Sequence, residues 1–335
     1  MSIGCDIRIA LRTLMINHTA YREVMETLHR RVQDTFDNVA PCCELLVAPS
    51  RCGKTKLMEV IYAQFPQVNE LGRRKIPLLC VTVPPSTGSK ELIHAVIKAL
   101  GLPIPKSFKT AGELTTFMFN QLALAKVRVI FFDEASHIVE PGAKIPARAA
   151  SDWFKAFQVA PHEIGIVLAG VPRLTRLLDY NEQLRNRVHK PLTLMPYRYD
   201  DRKQRAAFAG CVNKFLAEFE VRGCSLGMPL DEFVRNAYAA SAGYIGLLSN
   251  LFVEIATLIT APCVITEQLC AKATQALNLP GDGTVTPFSS TKLSDIDLMH
   301  VLAAELGRCD LVLRPLSVVS ELAQARVDEI RMVSL

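Results

Sequence analysis

The sequence predicts an α/β nucleotide-binding domain on a five-stranded parallel sheet, followed by a small all-helical domain. Three observations predict it. The apolar run Leu45-Leu46-Val47 leads into Ala48-Pro49-Ser50-Arg51-Cys52-Gly53-Lys54-Thr55, which reads as a strand, a tight small-residue loop and a helix opened by Gly-Lys-Thr. Further on, Val129-Ile130-Phe131-Phe132 forms a second buried run that closes on the carboxylates Asp133 and Glu134. Around these two landmarks strands and helical patterns alternate as far as Met195-Pro196, after which the pattern is helical alone.

Bulk properties agree with this partition. A chain of 335 residues has room for about two domains, and half its residues are hydrophobic, enough for a proper core. The net charge of +5 permits an acidic polymer as partner without requiring one. The ten cysteines include no C-x-x-C pair, so a zinc site is not expected and reduced thiols in a cytoplasmic protein are. Asp6, Arg8 and Arg12 interrupt the apolar N-terminal residues, which therefore do not read as a signal peptide. The most apolar later stretch, Ile245 to Ile265, carries Ser249, Asn250, Glu254 and Pro262, and reads as a buried amphipathic helix and not as a membrane span.

Taken in order, residues 1–40 form a helical preface with Tyr21, Val24, Met25, Leu28 and Val32 at helical spacing. It is either a docking helix or, through its arginines, a contact to nucleic acid. The nucleotide-binding domain spans 41–196. Its first strand, Glu44 to Ala48, precedes a helix from Lys54 to about Phe65. A second strand runs from Ile76 to Val83, and Ser89 caps a helix that Gly101 closes. Leu102 to Thr110 is a loop before the next helix, and Val127 to Phe132 is the third strand. A helix bearing Trp153, Phe154 and Phe157 starts near Ala147, and the fourth and fifth strands are Ile164–Ala169 and Pro191–Leu194. The helical domain, 197–280, holds helices at Arg202–Glu220, Pro229–Ser241, Gly243–Thr260 and Thr266–Leu277. Residues 281–335 are a linker and a tail with two helical patches, open equally to partner recruitment and to packing.

The first landmark is what a triphosphate needs. Backbone N–H groups of Pro49-Ser50-Arg51-Cys52-Gly53 would turn around the β-phosphate, except at the proline, and the helix N-terminus adds its positive end. Lys54 would reach the β- and γ-phosphates, and the Thr55 hydroxyl would ligate Mg²⁺. One position departs from G-x-x-x-x-G-K-[ST]: Ala48 replaces the first glycine and fits only where φ is negative. Cys52, inside the loop, is the thiol to watch for oxidation. At the second landmark, Asp133 would hold Mg²⁺ through its water shell and Glu134 would orient and deprotonate the attacking water.

Arg187, and after it Arg185, lie in Gln183-Leu184-Arg185-Asn186-Arg187-Val188 just before the fifth strand, far from their own phosphate loop. They are either a solvated helix face or a finger that reaches the γ-phosphate of a neighbouring copy. The fourth strand ends Leu168-Ala169-Gly170 with no side chain to touch that phosphate, and Leu247 stands where an arginine of the helical domain is often found. Losing such a donor costs about two to three orders of magnitude in rate, so slow hydrolysis is expected. Lys90, Lys106, Lys109, Lys144 and Arg148 lie on loops of the sheet domain. Each is a solvated charge or, repeated around a ring or filament, a contact to a DNA backbone. His137 is either a structural hydrogen-bonding residue or a link from nucleotide state to the loop beyond it.

These residues together resemble a family. The helical preface, the phosphate loop, the stretch FFDEASH, the strand ending Ala-Gly-Val-Pro, the box QLRNRV and the turn GYIGLLSNL are similar to the AAA+ transposition regulators of the TniB/TnsC type, over roughly residues 10–280. The resemblance implies an AAA+ P-loop ATPase with a helical lid that binds ATP and Mg²⁺ and assembles as a ring or helical filament on double-stranded DNA. It implies that the assembly links a target-selection protein, for example a TniQ-like one, to transposase subunits. Carried over, Lys54, Thr55, Asp133 and Glu134 match nucleotide and hydrolysis positions, Arg187 matches the finger, and Lys109, Thr110 and Lys144 fall where family members meet DNA. A helicase-loader or initiator-like ATPase and a nucleotide-gated scaffold are the competing readings, and Glu134 counts against the scaffold.

Overall fold

The computed structural model describes the chain except residues 1, 15–18, 71, 86–87, 105–109, 141, 160–162, 180–181, 290–291 and 314–335. It divides into two compact units, Thr19–Met195 and Met1–His18 with Pro196–Leu335. The preface expected over 1–40 is therefore split. Helix α1 (Ile3–Thr13) belongs to the second unit and α2 (Thr19–Phe36) to the first.

The first unit is built on parallel strands. β1 (Cys43–Val47) leads to α3 (Lys54–Tyr62), and a hairpin of β2 (Val68–Glu70) and β3 (Arg73–Lys75) precedes β4 (Leu78–Thr82). Then come α4 (Ser89–Ala99), α5 (Ala111–Leu124), β5 (Val129–Asp133), α6 (Ala147–Phe157), β6 (Gly165–Gly170), α7 (Glu182–Arg185) and β7 (Leu192–Thr193). The sheet runs β4-β5-β6-β1-β7, with Leu78 opposite Val129, Cys43 opposite Ile166 and Leu46 opposite Leu192. β1 and β6 are buried at every position because helices cover both faces, which is why they read as continuous apolar runs.

Aromatic rings hold α6 to the sheet. Phe132 meets Phe154 at 5.1 Å and Phe157 at 5.9 Å, edge to face, and all three are fully buried. Each such burial contributes about 1.5–3 kcal/mol. On the other side α2 docks through Leu28 and Val32, and Phe36 stacks on Phe65 at 4.3 Å. The docking-helix reading of this segment is what the structure displays.

In the second unit α8 (Arg202–Glu220), α9 (Leu230–Ser241), α10 (Ile245–Thr257) and α11 (Glu267–Thr274) pack with α1 around Phe208, Phe219, Phe233 and Phe252. A two-residue parallel pairing of β8 (Ser225–Leu226) with β9 (Val264–Ile265) joins two of the loops. The first helical patch of the tail is α12 (Asp295–Gly307), drawn in by Arg235 and Arg205, at 2.7 and 3.4 Å from Asp295. The second patch lies outside the described residues. Among the described residues no single helix is long and apolar enough to cross a membrane. The bent pair α9–α10 has the composition, but its apolar side chains form this core.

Candidate nucleotide site

The phosphate loop leaves the C-terminal end of β1, the edge where open α/β sheets bind ligands. Ala48 is buried, keeps a negative φ and donates its N–H to the Gly170 carbonyl at 3.0 Å, so the missing first glycine costs the loop nothing. The positive φ values fall instead on Arg51 at 65° and on Gly53 at 93°, where glycine adopts the left-handed region freely. Gly53 opens α3, so the loop turns directly into a helix N-terminus.

Lys54 is buried, and its ammonium donates to the carbonyls of Ala48 at 2.7 Å and Pro49 at 3.1 Å. Its charge is thereby held inside the loop it serves. The Thr55 hydroxyl donates to Asp133 Oδ2 at 3.1 Å, joining the start of α3 to the end of β5. The other oxygen of that carboxylate, Oδ1, accepts the Glu134 N–H at 2.9 Å. A hydroxyl and a carboxylate converging beside a phosphate loop fit a hard divalent cation such as Mg²⁺. Cys52 is buried, which does not favour the oxidation expected of it.

Glu134 adopts φ 55°, a left-handed conformation that costs a non-glycine residue about 1–3 kcal/mol. Its side chain is exposed at the tip of the strand, and its carbonyl accepts the His137 N–H at 3.1 Å, opening a single-turn helix over Ala135–Ile138. His137 itself pairs with Glu140 at 2.7 Å, the structural alternative of its two readings. Ser136, in the same turn, is buried and accepts the Val171 N–H at 2.6 Å. A side chain on Gly170 would meet the Ser136 hydroxyl at 2.2 Å, so glycine is required at the end of β6. The end of β6 therefore carries no polar side chain, as the sequence indicated, and the buried Ser136 hydroxyl is spent on the Val171 backbone.

Arg185 and Arg187 are exposed, in and just beyond α7. Arg187 lies two residues before His189, whose Nδ1 is 2.7 Å from Glu44 at the start of β1. It is therefore at the opposite end of β1 from the phosphate loop. Leu247 is buried within the helical unit. Of the basic residues offered for DNA, Lys90, Lys144 and Arg148 are exposed, and Lys144 packs beside Gly88, two residues before Lys90. Lys106 and Lys109 lie outside the described residues. Thr110 is engaged as a helix cap. Its hydroxyl accepts the Glu113 N–H at 3.2 Å while Glu113 accepts the Thr110 N–H at 3.0 Å, closing the N-terminus of α5. Among the described residues no cluster of His, Cys, Asp and Glu could hold a metal ion by itself.

A family model described as "Bacterial TniB protein" matches residues 7–199, more than half of the chain. No curated protein matches the sequence. Solved structures similar in fold include the Aeropyrum pernix ORC2 protein in ADPNP–ADP complexes, at 14% identity and TM-score 0.55, over 81% of this chain and 71% of that one. Cdc6p from Pyrobaculum aerophilum matches at 13% identity and TM-score 0.58, over 80% and 69% of the two chains. The Aeropyrum pernix ORC1 protein, solved in complex with DNA, matches at 14% identity and TM-score 0.56, over 80% and 68%. At these identities the likeness establishes the fold, which is that of an AAA+ P-loop protein with a helical C-terminal part.

Proposed function

The chain belongs to the bacterial TniB family, and on that footing we propose that it is an ATP-dependent regulator of DNA transposition. In this reading it assembles on duplex DNA and hydrolyses ATP slowly as the switch that ends the assembly. The observation that carries the reading is the hydrogen bond from Thr55 to Asp133, which brings the helix start and the strand end to one point, with Glu134 next in sequence. The loop N–H groups and Lys54 bind the phosphates of ATP. Thr55 and Asp133 would hold Mg²⁺, which when bound neutralises charge on those phosphates. Glu134 accepts a proton from water as the water oxygen bonds to the γ-phosphorus, and the bond from that phosphorus to the β,γ-bridging oxygen breaks to release ADP.

Arg187, exposed and remote from its own loop, fits the finger of a neighbouring copy, with Arg185 as the second choice. In a ring or filament, Lys90, Lys109, Thr110, Lys144 and Arg148 would track the DNA backbone, and each neutralised phosphate adds to the salt dependence. TniQ-like and transposase proteins are the partners this family reading suggests, with a cytoplasmic setting.

The test is electron microscopy with ATP, a non-hydrolysable analogue or ADP, each with and without duplex DNA. Rings or filaments that need both triphosphate and duplex are expected, and Lys54→Ala should abolish them together with ATP binding. Monodisperse monomers in every condition, or an assembled Lys54→Ala protein with intact ATP affinity, would overturn the reading.

A further inference from the structure

β1 carries the phosphate loop at one end and, at the other, Glu44, a carboxylate with no solvent exposure in an otherwise apolar strand. Burying an ionised carboxylate is costly, and it persists where cations meet it. Arg31 of α2 forms an ion pair with one oxygen, and the His189 ring is hydrogen-bonded to the other through Nδ1 at 2.7 Å. Burial pushes the Glu44 carboxyl above its ordinary range, and Arg31 and His189 draw it back. An apolar residue at this position could still pack in the buried strand, but would forfeit the ion pair with Arg31. It could not grip His189, whose side chain is 58% exposed and lies on a surface segment.

That segment is the one bearing the arginines. Leu184, fully buried, anchors its beginning, and the N–H groups of Arg187 and Val188 both donate to the Leu184 carbonyl at 3.0 Å. The imidazole of His189, bound to Glu44, anchors its end. Between the two anchors the side chains of Arg185 and Arg187 stand in solvent. Free arginine side chains lose considerable rotamer freedom on docking, so a fixed backbone beneath them matters.

We propose that Glu44, acting through His189, is the positioning residue that holds the Leu184–His189 segment so that Arg187 is presented in register to a neighbouring copy. The inference rests on the reading of Arg187 as a group acting in trans. The ring of His189 is mostly exposed, so its removal leaves the core intact.

The experiment measures ATP turnover, with duplex DNA present, of His189→Ala alone and mixed with Glu134→Gln, whose copies keep the arginine segment but lack the water-activating carboxylate. Arg187→Ala is treated in parallel. Alone, His189→Ala is expected to lose about tenfold or more in turnover with its KM for ATP unchanged. Mixing should restore turnover per His189→Ala subunit, because the partner supplies an intact finger. His189→Gln, whose amide can still donate to Glu44, should retain most of the activity. If Arg187→Ala is not restored by mixing, the trans reading of Arg187 itself fails. If Arg187→Ala is restored while His189→Ala is unaffected alone, or is not restored, the positioning role of Glu44 and His189 is wrong and the trans reading stands.

Discussion

Adjacent carboxylates at the tip of β5 have opposite situations. Asp133 has both oxygens engaged, one by the Thr55 hydroxyl and one by the Glu134 N–H, so it serves as a fixed point. Glu134 sits on strained backbone with its carboxylate in solvent, free to meet a water beside the γ-phosphate. Their roles therefore separate under mutation. Glu134→Gln, which keeps size and hydrogen bonding but loses the base, should bind ATP as the native protein does and turn it over about 10²–10⁴ times more slowly. Equilibrium binding of a fluorescent ATP analogue beside a phosphate-release assay measures both, and loss of binding would show that Glu134 acts in holding the nucleotide. Ser136 and Gly170 explain locally why the strand end offers no side chain of its own: the space is filled by the Ser136 hydroxyl on the Val171 N–H.

Caps decide where several elements begin. Asp201 precedes the 19-residue helix α8, and its carboxylate accepts the N–H groups of Lys203 at 2.8 Å and Gln204 at 3.1 Å. The Gln204 N–H holds that carboxyl below its ordinary range, assisted by the Gln204 side chain and the Lys203 N–H. A carboxyl lowered in the folded state contributes stability above its unfolded value and loses it as pH falls through the folded one. Asp201→Ala should therefore cost about 1 kcal/mol at neutral pH, read from urea unfolding. The two proteins should converge below the usual aspartate range, and a cost undiminished in acid would contradict the capping role. The start of α8 at Arg202 was legible from its helical pattern, and the structure adds the cap that fixes it, Asp201. The β2–β3 hairpin was not legible, because Val68-Asn69-Glu70 and Arg73-Arg74-Lys75 lie exposed and carry no apolar alternation. The single preface could not be divided from periodicity either, since α1 and α2 are both amphipathic and only packing assigns Ile7 and Leu28 to different cores.

For the molecule as a whole, the site legible in sequence is the part whose chemistry is contiguous, Pro49 to Thr55 and Asp133-Glu134. Their meeting follows from parallel strands ending on one edge. What stayed hidden are contacts between distant stretches. Glu44 looks like an ordinary charge and His189 like an ordinary loop residue until β1 and the segment before β7 are placed together. The same topology sets the phosphate loop and Arg187 at opposite ends of β1, so a complete catalytic set on this account takes two copies of the chain. The most direct measurement is ATP turnover per subunit over a dilution series in the presence of duplex DNA, with molecular mass followed by sedimentation at each concentration. Turnover per subunit should fall as assemblies dissociate while monomers still bind ATP. Undiminished turnover in a solution of monomers would contradict the shared site.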